Sequence, residues 1–127
     1  MWLTRRVDKS NVITLMATRG VPVLREFELL VLLAVLQLEG GAYPLAVAEA
    51  IEKRTKRKAS RPAVLITLER LEEKGLLTSR FGDPTPVRGG RSKRFFDAKP
   101  QALDAVRQAM ERIESMASGL EARLRTR

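Results

Sequence analysis

Histidine and cysteine are both absent from this 127-residue chain, which removes most ordinary site chemistry at the outset. The usual zinc and soft-metal ligands are missing, as are the commonest general base and the best nucleophile. Asp, Glu, Lys and Ser remain, but the sequence holds no paired carboxylates, no phosphate-cradling glycine loop and no nucleophile elbow. An enzyme is therefore not expected, nor a metal or cofactor. What stands out is a block of cations. Residues 52–94 carry thirteen Lys/Arg against five Asp/Glu, a net +8 of the whole chain's +9, whereas residues 1–20 give +3, 21–51 give −3 and 95–127 give +1. A charge so concentrated suits a polyanion, because Lys and Arg that neutralise phosphates release condensed counterions. A surface kept basic only for solubility more commonly scatters its charge.

Within that block two groups have spacing that suggests a role. Arg61, Leu65, Ile66 and Arg70 recur at helical spacing, and Arg88, Arg91, Lys93 and Arg94 crowd a Gly/Pro-rich stretch. Arginines of the first group could reach base edges or flanking phosphates. Leu65 and Ile66 either pack on a neighbouring element or touch thymine methyl groups in a major groove. The second group would grip phosphates or enter a minor groove. Lys56, Arg57 and Lys58 lie close enough in sequence to approach the same backbone. Glu69 and Glu73 would repel phosphate unless paired, with Arg70 as one partner, or unless they accept from cytosine.

These side chains need elements to hold them. From residue 23 to about 39 the apolar residues Leu24, Phe27, Val31, Ala34 and Leu38 alternate at three and four, and further leucines fill the circumference. A helix apolar almost all round must be buried on more than one side, which hints at a partner surface beyond the core. Gly40-Gly41 ends it. A second helix is expected from Pro44 to Thr55, with Val47, Ala48 and Ile51 inward. A third starts at the N-cap Ser60 and ends at Gly75, docked by Val64, Leu68 and Leu71. Short strands at 76–81 and 93–98, joined by a turn-rich basic loop, describe a β-hairpin wing, with one of Phe95 and Phe96 facing the core. The last helix starts at Pro100, where Leu103, Val106, Met110, Ile113, Ala117, Leu120 and Leu124 form an unbroken 3-4 seam. That seam either packs back on its own domain or meets a partner helix, and its narrowness favours dimerisation.

The expected fold class is mainly α with a small β-hairpin: a winged helix-turn-helix plus a C-terminal dimerisation helix. Residues 1–22 form an extension without clear periodicity, 23–98 the winged-helix domain and 99–127 the dimerisation helix. Translation starting at Met16 would shorten the extension. A domain of this size buries roughly two thirds of its unfolded surface and needs no disulfide. The lack of cysteine agrees with a reducing cytoplasm. The longest apolar run, residues 29–36, is eight long, against roughly 20 for a membrane span, and no signal peptide is evident.

Several stretches in this order resemble the PadR family of bacterial transcription regulators. They are Leu24-Arg25-Glu26-Phe27-Glu28, Gly41-Ala42-Tyr43 with Glu49-Ala50-Ile51, and Ala63-Val64 with the run from Leu68 to Leu76. The wing phrase from Gly82 to Phe96 is similar to that of the family's short members. The resemblance covers roughly residues 23–125 and implies a homodimer that binds a roughly palindromic operator in double-stranded DNA and represses transcription. The chain departs from it at Leu65, where the family usually has tyrosine, at Ile66, where a small polar residue is usual, at Pro44 in place of glycine and at Lys99 in place of a threonine cap. Loss of the tyrosine hydroxyl implies a changed operator or affinity. Paired terminal helices would set two recognition helices about 34 Å apart, in successive major grooves. A small hydrophobic effector between the first and last helices is conceivable, as is no effector. Two competing readings are a protein-interaction winged helix, which would not require the basic block, and an RNA-binding protein, for which the six aromatics offer no obvious stacking platform.

Overall fold

The computed structural model describes residues 20–83 and 92–126. In chain order these form α1 (Glu26–Leu38), α2 (Pro44–Thr55), α3 (Arg61–Glu73), β1 (Leu77–Phe81), β2 (Arg94–Ala98), α4 (Pro100–Ala117) and α5 (Glu121–Arg125). Three helices followed by an antiparallel hairpin and a further helix make a winged helix, as the sequence suggests. The hairpin pairs Leu77 with Ala98 through Phe81 with Arg94.

α1 starts three residues later than its apolar pattern. Arg25 is extended, and its backbone N–H donates to Glu28 Oε1 at 2.9 Å, closing the first turn with an acidic side chain. At the other end Glu39 and Gly40 carry the positive φ angles. α2 and α3 both admit proline in the first turn, where no N–H is needed. Ser60 caps α3 by accepting from the Ala63 N–H at 3.2 Å.

The core is one cluster. Leu32, Val47, Val64, Leu68, Leu71, Leu76, Leu77 and Phe96 have almost no exposed surface. Each contributes about 1.5–3 kcal/mol relative to an exposed side chain. Phe96 is the aromatic that turns inward, and its N–H donates to Ala42 O at 2.8 Å, stitching the hairpin to the α1–α2 connection. Phe95, on the other side of the strand, packs edge-on against Tyr43 at 5.6 Å.

α4 corrects two expectations. Ala102, Ala105, Val106 and Ala109 are buried in the domain core, so the inward face lies one step off the 3-4 seam and takes Val106 with it. The helix also does not run unbroken to Leu124. It stops at Ala117, and Gly119 adopts φ +89 before α5 begins. Ser118-Gly119 is the cause, since glycine is the costliest non-proline helix residue and readily turns left-handed. The Glu121 carboxylate then accepts from the Gly119 N–H at 3.0 Å. Among the described residues no helix is long and apolar enough to cross a membrane.

Candidate nucleic-acid interface

α3 is held by Val64, Thr67, Leu68 and Leu71 on its inner face, and the Thr67 hydroxyl donates to Ala63 O at 2.9 Å. Its outer face presents Arg61, Ile66 and Arg70 to solvent, with Ile66 at 55% exposure. The Leu65-Ile66 pair thus divides: Leu65 packs against the core and Ile66 projects outward. Among the described residues no hydrogen bond or ion pair engages the side chains of Arg61 or Arg70. Such free guanidinium groups are suited to a bidentate acceptor on a base or a phosphate.

The other described cations of the basic block divide into committed and free. Arg57 pairs with Glu26 at 3.0 Å and stacks over Phe27. Arg54 donates to Gln37 at 3.2 Å. Lys74 Nζ donates to both oxygens of the buried Glu28 carboxylate, at 3.0 and 2.8 Å, tying the end of α3 to the start of α1. Burial pushes the Glu28 carboxyl up, but the Arg25 N–H and the Lys74 ammonium outweigh it and hold its pKa below the usual range. Arg80 reaches Asp97 at 3.0 Å and the Gly40 carbonyl at 2.9 Å.

Arg94 is placed unlike Lys93, the other described member of the wing group. Its Nη1 donates to Glu69 and its Nη2 to Glu72, each at 2.8 Å, while the guanidinium lies over the Phe96 ring at 4.9 Å. The Ser79 hydroxyl completes the cluster by donating to Glu72 at 2.7 Å. Glu69 is thus paired with Arg94, not with Arg70. Arg94 braces hairpin against helix, a role that sequence reasoning missed; carboxylates at 69 and 72, one turn apart on α3, were the available signal. Lys93 is exposed, with Nζ 4.3 Å above the Tyr43 ring. Arg88, Arg91 and most of the connecting loop lie outside the described residues, as do the first nineteen residues of the expected extension.

The expected dimer seam is split by its surroundings. Leu103 and Ile113 are each 51% exposed, Leu120 and Leu124 are exposed on and beyond the bend, Met110 and Ala117 are half-covered, and Val106 is internal. Met116, off the seam, is the most exposed apolar residue of the group. An apolar cavity of about 180 Å³ lies between α1 and α2, lined by Leu30, Leu33, Ile51 and Arg54 among others. That is smaller than most pockets for drug-sized ligands, which run from about 300 Å³.

No family model matches the chain, and no curated protein is similar to it in sequence. Solved structures do match its fold. A PadR family transcription regulator from Clostridium difficile R20291 superposes with a TM-score of 0.64 at 14% identity, covering 79% of this chain and 99% of that one. Another, from Eggerthella lenta DSM 2243, gives 0.61 at 18% identity over 93% and 96% of the two chains. A complex of hsRosR-S4 gives 0.61 at 19% identity, over 81% and 82%. The likeness is one of fold: this chain has the winged-helix architecture of PadR-family regulators.

Proposed function

We propose that this protein is a transcription regulator of the PadR type that binds double-stranded DNA as a homodimer, and that it represses from a roughly palindromic operator. The observation that carries this reading is the outer face of α3, where Arg61, Ile66 and Arg70 stand free of internal partners on a helix fixed at both ends. In this reading α3 enters the major groove. Arg61 and Arg70 contact base edges or flanking phosphates, and Ile66 meets a thymine methyl group. Lys93, Arg88 and Arg91 of the wing hold the adjacent backbone. The apolar side of α4, with Leu103, Met110, Ile113 and Ala117, pairs with a second copy and sets the spacing of two α3 helices.

The test is binding to the DNA upstream of the protein's own gene, followed by fluorescence anisotropy across a salt series. Random duplex and single-stranded RNA serve as competitors. Selective duplex binding with a steep fall of log K against log salt is expected. No duplex binding at low salt, with the oligomer intact, would instead make the protein-interaction winged helix the better reading.

A further inference from the structure

Of the charged side chains on α4 only Glu114 is buried. It keeps 5% of its surface exposed, whereas Ile113 beside it is half exposed. Nor does it belong to the core face. Ala105 is nine residues back, about two and a half turns, which puts the two on opposite sides of the helix. Among the described residues Glu114 accepts no hydrogen bond and forms no ion pair. The buried Glu28, by contrast, is held by Lys74 and the Arg25 N–H.

Its own helix offers Glu114 no cation. The positions three and four residues away hold Met110, Glu111, Ala117 and Ser118. Glu111 is half-buried and equally without a partner among the described residues, so two unpaired carboxylates stand one turn apart. Asp104, the remaining acid of α4, is already matched to Arg107 at 2.9 Å. A carboxylate withdrawn from water is costly unless a cation meets it.

The other end of the chain carries the complementary charge. Residues 1–20 have a net charge of +3 outside the basic block, with Arg5, Arg6 and Lys9 grouped and Asp8 the single acid. Trp2, Leu3 and Val7 are interleaved with them. The described chain begins at Gly20, and Val21 packs against the core. Lys9 is eleven residues from Gly20 and Arg5 fifteen, spans of up to about 36 and 50 Å when extended. A domain of this size has a radius of gyration of about 13 Å, so either cation can reach α4.

We propose that residues 1–19 dock along the Glu114 side of α4 in the same chain, with Arg5, Arg6 and Lys9 supplying the cations for Glu114 and Glu111. Trp2, Leu3 and Val7 rest against the half-covered Met110 and Ala117. The site stands independently of the DNA-binding reading.

Trp2 is the one tryptophan of the chain, so selectively excited emission reports on the extension alone. In the full chain its emission is expected to be shifted to the blue and shielded from acrylamide. E114Q and R5Q/R6Q/K9Q should each raise the quenching constant about twofold, and combining them should add little, as residues in one contact do. Unchanged helical circular dichroism in R5Q/R6Q/K9Q separates undocking from unfolding. Carbodiimide cross-linking of the wild type needs no variant: an amide joining Lys9 to Glu114 or Glu111 is expected within one chain. Repeating it on mixed unlabelled and ¹⁵N-labelled protein identifies the donor. Cross-links found only between chains would assign the site to the extension of a second copy and overturn docking in the same chain. A Trp2 equally open to acrylamide in wild type and variants, with no Lys9 cross-link, overturns the site altogether. A Trp2 open in the free protein and shielded only when duplex is added would give the extension to DNA instead, and equally defeats the proposal.

Discussion

Arg94 on β2 meets Glu69 on α3, Nη1 to Oε2 at 2.8 Å, and the same guanidinium holds Glu72 at an equal distance. The arrangement removes two negative charges from the helix proposed to read DNA and fixes the angle between that helix and the wing. Glu69 is nearly half exposed, so the pair adds little to global stability; its value lies in geometry. R94Q should therefore weaken operator binding about tenfold or more, with the salt slope preserved. R94Q/E69Q should recover part of the loss, because the unpaired carboxylate goes too. Anisotropy titrations of the three proteins decide the matter: a slope smaller by about 1 in R94Q would mean that Arg94 grips phosphate directly.

Glu28 is nearly fully buried and bound by Lys74 and the Arg25 N–H, which together lower its pKa. A carboxyl with a depressed folded pKa contributes stability that is fully present above its unfolded value, near 4.3, and lost as pH falls through the folded one. At pH 7, E28Q should cost about 1–3 kcal/mol in urea unfolding. The gap between wild type and variant should be unchanged at pH 6 and narrow only as pH drops below about 4. A gap independent of pH down to 3 would show that shape, not charge, holds this joint.

Gly82 follows β1, where an added Cβ would stand 2.7 Å from Phe95 Cε2. The ring has little freedom to yield, since Tyr43 meets it edge-on and the Arg80 guanidinium covers it at 4.9 Å. G82A should lower stability by about 1–3 kcal/mol, the usual range for an overpacked contact. Pairing it with F95L tests the mechanism. A clash predicts that the double variant loses less than the two single changes added together, which thermal unfolding can measure.

The three-helix unit was legible because its signals are local: an N-cap serine, prolines in first turns, and apolar residues recurring at helical spacing. Val64, Leu68 and Leu71 on one face gave the docking of α3 directly. Arg94 was misread because its charge says nothing about what faces it; only the pairing of Phe81 with Arg94 brings that guanidinium over Glu69 and Glu72. Which cations stay free, as Arg61 and Arg70 do, was only partly visible, since freedom from partners depends on every other side chain. On α4 the seam pattern was real but shared, because the alanines at 102, 105 and 109 carry little hydropathic weight and still pack into the core.

That sharing gives α4 two faces that substitution can tell apart. Val106 is 7% exposed and belongs to the core, whereas Ile113, two turns on, is half exposed. Placing a carboxylate at Val106 buries a charge without a partner and should unfold the protein. At Ile113 the same carboxylate faces water in a monomer and meets an apolar partner only in a dimer. I113D should keep its helical circular dichroism while light scattering reports half the mass, and operator binding should fall because two half-sites are no longer held together. A dimer of unchanged mass in I113D would shift the subunit contact away from this face, leaving the broad apolar circumference of α1 as the next surface to substitute.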